Sequence, residues 1–337
     1  MTHSRCANGD TTDRYEWDSL THPWVRDLAW LLHAPDLVAT VYAGRPTLAE
    51  LGLENSACRQ AWLRELDMAP ERLEPYLGEC PRRLGLYHER LWHALLDLAP
   101  ATRLLATNLV LHAHGRTLGE LDLLYVDAQG RPVHLELAIK YYLGLRDGPG
   151  DTRDPARWIG TGCADSLARK LHHTLRHQLP LAHHPASLAA LKANGIDPTS
   201  LEQRIAMPGV LFWPWPHSLP APRPSRRTAL QWVWLPWRDW PALHGALPDD
   251  SLGVTLHKPH WLAPPRDERY RPLPVLEAEL REHFVVAPTP RQCHLTTPDG
   301  TQWRIFVVPD DWPRSLPLPP TTQRRHSHAE NWGIGQA

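Results

Sequence analysis

Between Gly119 and Tyr142 the chain reads GELDLLYVDAQGRPVHLELAIKYY, and this stretch constrains the fold more than any other. Side chains in a strand alternate between two faces. Leu121, Leu123 and Tyr125 are therefore expected on one side, and Glu120, Asp122, Leu124 and Val126 on the other. Further on, Val133, Leu135, Leu137 and Ile139 make a continuous apolar face opposite His134, Glu136, Ala138 and Lys140. Asp127-Ala-Gln-Gly130 supplies turn chemistry, which predicts a hairpin. With the polar faces aligned, Glu120, Asp122, Glu136 and Lys140 converge on one patch. Paired carboxylates with a lysine suit a divalent cation and an activated water. The alternative is an ordinary amphipathic hairpin with its polar face in water. Helical segments before and after the hairpin are placed to cover both faces, and acids beneath a cover need a cation or a partner.

Those helical segments follow from apolar spacing. Helices are predicted from Trp24 to near Pro35, over Ala57–Leu66, over Pro70–Leu77 and over Leu84–Leu98. In the last, Tyr87, Leu91, Leu95 and Leu98 form the buried stripe. Glu89 sits at the stripe's edge, either as a solvated helix glutamate or facing a neighbouring site. A strand is expected over Leu104–His114. After the hairpin, a helix from about Ala164 to Leu179 carries Asp165, Arg169, Lys170, Arg176 and Gln178 off its apolar side, and a strand over Ile205–Phe212 follows. Beyond Trp213 proline and tryptophan crowd together; strands are expected at Thr228–Leu235, Ser251–Leu256 and Trp303–Val308, with a helix over Val275–His283.

A net charge of -1 gives no overall basic bias, which speaks against indiscriminate coating of nucleic acid but leaves room for a local basic cleft. Lysine is scarce: Lys140, Lys170, Lys192 and Lys258 are the only ones, arginine supplying the other cations. A compact ammonium beside a metal is a job that arginine does poorly. The five cysteines, odd in number and without CxxC spacing, read as reduced thiols. With no apolar signal segment or spanning run, a cytoplasmic location is expected. His88-Glu89 followed by His93 lacks the spacing of a zincin helix, and no P-loop, GxGxxG or GxSxG is present.

Gly119-Glu-Leu-Asp122, a turn and His134-Leu-Glu136 together resemble the metal-binding hairpin of PD-(D/E)XK nucleases. The order helix, three strands, helix, strand is similar to that restriction-endonuclease-like core over about residues 80 to 215. Over most of its length the chain more closely resembles the bacterial family catalogued as domain of unknown function 1853. Leu84-Gly-Leu-Tyr-His-Glu89-Arg-Leu-Trp92, the VHLELAIKYYLG run, Trp158-Ile-Gly160 with Asp165, Lys170 and Gln178, and Gly209-Val-Leu-Phe212 carry that resemblance.

The resemblance implies an α/β fold: a restriction-endonuclease-like mixed sheet flanked by helices, with an N-terminal helical layer and a Trp/Pro-rich C-terminal extension. The expected divisions are disordered ends at 1–20 and 313–337, a helical layer over 21–80, a nuclease-like core over 81–215 and the extension over 216–312. It also implies Mg²⁺ or Mn²⁺ held by Asp122 and Glu136, with Glu89 as a further acid. Lys170, Gln178, Arg169 and Arg176 would be phosphate-facing groups, with Glu120 and Asp165 as secondary candidates. The superfamily's lysine stands two residues after the acid, where this chain has Ala138. Lys140 lies on the same face about 6–7 Å further along, at ~3.3 Å per residue, a distance over which its stem can bend back, and it is the expected catalytic lysine, positioning the water or stabilising the developing charge. The implied activity is metal-dependent hydrolysis of DNA or RNA. The alternative is a catalytically inactive nuclease-fold module that binds nucleic acid or a protein partner, and the tryptophan-rich third is a candidate docking surface for such a partner.

Overall fold

Helical apolar spacing builds the first layer as expected. The computed structural model describes residues 15–314 apart from Cys80 and Pro149. Helix α1 (Pro23–His33) opens on a proline, which a first helical turn tolerates, and buries Val25, Leu28, Leu31 and Leu32. Helix α2 (Ser56–Met68) is capped by Asn55, whose side chain accepts from Cys58 N at 3.0 Å. A single turn, α3 (Glu74–Leu77), precedes α4 (Leu84–Leu98), whose bounds match the sequence reading. Tyr87, Leu91 and Leu95 of α4 are fully buried. The expected disorder up to residue 20 is corrected at its end: Trp17 and Leu20 are buried, and Arg26 donates to both of their carbonyls. Residues 1–14 and 315–337 of the expected disordered ends lie outside the described residues.

Two mixed sheets follow. Strands β1 (Arg103–Ala113), β2 (Arg116–Val126) and β3 (Pro132–Leu137) form an antiparallel meander. The β2–β3 turn is the predicted one: Asp127 Oδ1 accepts from the backbone of Gln129 and Arg131, and Gly130 takes φ 77°. The second strand of the hairpin does not run on to Lys140 in one sheet. It breaks after Leu137, and β4 (Lys140–Gly144) begins in the second sheet.

Strand β5 (Trp158–Gly160), helix α5 (Leu167–His173), the short α6 (Leu179–Leu181) and α7 (Pro185–Ala193) lead to β6 (Glu202–Ala206) and β7 (Gly209–Pro214). The single strand expected over Ile205–Phe212 is likewise split, β6 lying parallel to β3 and β7 parallel to β4. Register survives the break: Leu137 pairs with Ala206 and Lys140 with Gly209. The bend has a local cause. Asp36 Oδ1 accepts from Met207 N at 2.8 Å, Leu37 N donates to Met207 O at 2.8 Å, and Pro208 has no N–H to offer a ladder. Gly209 then lets the backbones close, since a Cβ there would meet Lys140 O at 1.9 Å.

The first sheet has the order β1-β2-β3-β6. The second is completed by β8 (Leu230–Pro236), helix α8 (Trp240–Ala246), β9 (Leu252–Leu256), β10 (Arg271–Pro272), helix α9 (Leu273–Val286), β11 (Arg291–Thr296) and β12 (Gln302–Val308). Its order is β10-β9-β11-β12-β8-β7-β4-β5. The expected division at residue 215 thus falls between β7 and β8, which are adjacent parallel strands. The largest apolar core runs from Trp17 through Tyr87 and Leu135 to Trp312, so helical layer and extension share it. Many of the tryptophans serve packing: Trp92, Trp158 and Trp240 are fully buried and Trp237 stacks on Phe284 at 5.4 Å. Among the described residues no helix is long and apolar enough to cross a membrane.

Candidate functional site

The β2–β3 register sets Leu123 against Leu135, and one step further Asp122 faces Glu136. Asp122 Oδ2 accepts from Leu137 N at 2.8 Å, taking a donor that the ladder would otherwise use at the point where β3 leaves the sheet. Glu136 is fully buried, and among the described residues neither of its carboxyl oxygens has a hydrogen-bond partner of good geometry. Burial first, and the adjoining Asp122 second, push its carboxyl up to about 9, against the pull of Lys170. Burial raises Asp122 as well, opposed by Leu137 N–H, Glu136 and Lys170.

The cation facing them comes from helix α5. Ser166 caps it, Oγ accepting from Arg169 N at 3.2 Å, and Leu167, Ala168 and Leu171 bury its inner side. The helix does not continue regularly to Leu179. Thr174–Gln178 is a π turn, a wider turn that is found at functional sites. The turn brings Gln178 back over Lys170, so that Gln178 Oε1 accepts from Lys170 Nζ at 2.8 Å and from Thr174 Oγ1 at 2.8 Å. Lys170 Nζ is thereby held 3.9 Å from Glu136 Oε1. Arg169, His172, His173, Arg176 and His177 are exposed on the outer side. From Ser166 to Ile196 the chain contains no Asp or Glu.

Lys140 is placed differently from the expectation. As the first residue of β4 it turns to Asp165, with Nζ 2.7 Å from Oδ2, and Tyr142 Oη donates to the same oxygen at 3.2 Å. It does not pair with Glu136, although its charge and that of Asp165 both reach Lys170. Glu89 lies within electrostatic reach of Asp122. Burial raises its carboxyl, and Asp122 and the exposed Glu120 raise it further. Asn108 Nδ2 donates to Glu89 Oε1 at 2.7 Å, and His93 Nε2 lies 3.7 Å away. Leu121 departs from the expected face: it packs with Leu111, Leu124 and Leu191, whereas Leu123 and Tyr125 pack towards α4. Sequence reasoning missed Asn108 and Thr174. A poor strand former between leucines and valine was the available signal for Asn108.

Among the described residues no group of three or more His, Cys, Asp or Glu side chains is disposed to hold a metal ion. The acid pair nevertheless fits Mg²⁺ or Mn²⁺. Such ions keep several waters and take one or two carboxylates, and Glu136, whose buried oxygens find no hydrogen bond of good geometry among these residues, offers with Asp122 the donor type they take, with Lys170 Nζ 3.9 Å from Glu136 Oε1.

The profile of a family described as Domain of unknown function (DUF1853) matches residues 26–308, which run from within α1 to the end of β12 and include the whole site. The chain belongs to that family. The residues that carry the resemblance, from Glu89 through Asp122, Glu136 and Lys140 to Lys170 and Gln178, all lie inside the matched span. No curated protein and no solved structure matches the chain.

Proposed function

We propose that this member of the DUF1853 family is a metal-dependent phosphodiesterase of the PD-(D/E)XK superfamily acting on DNA or RNA. The observation that carries the reading is the Asp122–Glu136 pair: Glu136 is fully buried beside the half-buried Asp122, its two oxygens lack a hydrogen bond of good geometry among the described residues, and the Lys170 ammonium lies 3.9 Å away. Within the first sheet the order β1, β2, β3, β6, with α4 before it, α5–α7 between β3 and β6 after the excursion of β4 and β5 into the second sheet, and β6 parallel to β3, supports a restriction-endonuclease-like core.

Asp122 and Glu136 would hold Mg²⁺ or Mn²⁺, with Glu89 as a further acid. The bound ion would supply a water of lowered pKa and neutralise charge on the phosphate. The chain's own groups do the rest. Lys170, fixed by Gln178 and Thr174, donates to the phosphate oxygen on which charge develops. Arg169 and Arg176, exposed on a segment without Asp or Glu, engage the phosphate backbone. Lys140, tied to Asp165, holds the edge of the site and its field rather than the acid pair.

Cleavage of labelled DNA and RNA with Mg²⁺ or Mn²⁺, beside Asp122→Ala and an EDTA control, tests this. Cutting that needs the metal and vanishes in the variant is the expected result; an Asp122→Ala protein that cuts at the wild-type rate ends the assignment. Ala138 at the usual lysine position, with Lys140 paired elsewhere, favours one other reading, a nuclease-fold module that binds without cutting. It predicts binding that survives chelators and no cleavage of any substrate.

A further inference from the structure

Three imidazoles meet on the outer side of α5. The ring centroids of His173 and His177 are 5.5 Å apart, and those of His172 and His177 5.9 Å. The second distance depends on the π turn Thr174–Gln178. In a regular α-helix, residues five apart point about 140° away from each other; the wider turn lets His177 meet both partners. All three histidines are exposed, as are Arg169 and Arg176 on the same segment, and no Asp or Glu occurs from Ser166 to Ile196. Of the elements packed most closely on α5 and its π turn, β5 and α6 carry no charge. Arg157 precedes β5, and β2 brings Arg116, Glu120 and Asp122. The rings are not a metal cage, since among the described residues no three His, Cys, Asp or Glu side chains are so disposed.

Imidazoles ionise near pH 6.5, and like charges a few ångströms apart oppose one another's ionisation. Partial burial, then Lys170, His177 and His172, hold the His173 ring below its ordinary value. A run of phosphates along this face supplies the missing counter-charge, so that binding and proton uptake favour each other. We propose that His172, His173 and His177 form a proton-linked grip on the phosphate backbone of a nucleic acid, which the protonated rings and neighbouring arginines hold and which is released as the rings lose their protons. This rests on the nucleic-acid part of the function proposed above and adds that pH sets the grip.

Binding of a labelled oligonucleotide, as DNA and as RNA, to the full-length chain in EDTA tests this by fluorescence anisotropy. Affinity should rise about 10-fold or more from pH 7.5 to pH 5.5. Its dependence on salt should steepen by about 1–2 as charges are added. Calorimetry near pH 6.5, in two buffers of different ionisation enthalpy, should report protons taken up on binding. With His172→Gln, His173→Gln and His177→Gln combined, most of the pH dependence and of the proton uptake should go. With the same three changed to lysine, binding at pH 7.5 should match that of wild type at pH 5.5, because the charge no longer titrates in this range. Level affinity across the range, pH dependence kept in the glutamine variant, a lysine variant no tighter than wild type at pH 7.5, or no binding of either oligonucleotide would each overturn the proposal. Metal-dependent cutting by a wild type whose binding ignores pH sinks the grip alone. Proton-linked binding with the expected variant pattern and no cleavage sinks the nuclease reading alone.

Discussion

Asp27 and Glu136 are both carboxylates removed from water, and their surroundings are opposite. Asp27, 2% exposed on α1, accepts from Tyr87 Oη at 2.8 Å and Ala263 N at 3.0 Å, and lies 2.8 Å from His260 Nδ1. Each oxygen is used, and the bonds tie the helical layer to the extension. Glu136, fully buried at the end of β3, has an unfavourable neighbour in Asp122 and a lysine at 3.9 Å. A buried acid whose oxygens are all bonded is a fastening; one left without hydrogen bonds costs stability. Gln292 is also buried without a partner among the described residues, and nothing in the structure explains it.

The sharpest way to break the contrast is to neutralise each acid. Glu136→Gln should abolish cleavage, a loss of about 10³-fold or more if charge stabilisation is the main catalytic term, while the metal-free protein melts higher than wild type. Asp27→Asn should do the reverse: stability falls by about 2–4 kcal/mol as buried donors lose their acceptor, and calorimetry should find Mn²⁺ affinity in the folded protein unchanged. Equal effects of the two substitutions on melting would erase the distinction.

The two lysines sharpen it. Lys170→Ala should lower the cleavage rate about 10²-fold and Lys140→Ala considerably less, because Lys170 faces Glu136 and Lys140 faces Asp165. A ranking in the opposite order under single-turnover conditions would return the motif's role to Lys140.

Proton linkage gives a smaller test. The folded protein holds a proton on Glu136 up to about pH 9, whereas an unfolded glutamate releases it near 4.5. The contribution is therefore fully present below pH 4.5 and is lost as pH rises towards 9, with Asp122 acting in the same direction. Between pH 7 and 9, above the range in which the depressed His88 and His134 matter, the melting temperature in EDTA should fall. The Glu136→Gln protein should give a flatter profile. Smallest of all, Arg169→Ala with Arg176→Ala should weaken binding of an uncleaved oligonucleotide uniformly and reduce its salt slope by about 1–2. An unchanged slope would move the nucleic acid off this helix.

Much of the scaffold was legible in the chain because it obeys local periods. Helix α4 was readable from its stripe, the β2–β3 turn from Asp127 and Gly130, and the facing of Asp122 and Glu136 from alternation across that turn. The residues around the pair were legible only by resemblance, and Lys140 was placed at the wrong partner. A strand pattern carries no information about where a ribbon bends from one sheet into the next.

What the sequence by itself determined is therefore the set of elements and the chemistry each carries, since period, capping and turn residues act over a few positions. Only the tertiary structure decided which of those groups meet. Met207 gives its backbone groups to Asp36 and Leu37, 171 residues from Asp36, and the strands on either side part into two sheets. A π turn, rather than another α turn, sets Gln178 on Lys170 and Lys170 beside Glu136. Asp27 finds His260 across 233 residues. The physical reason is common to all three: a buried polar group must find its partner in space, and the chain between the two leaves no local signature of the meeting.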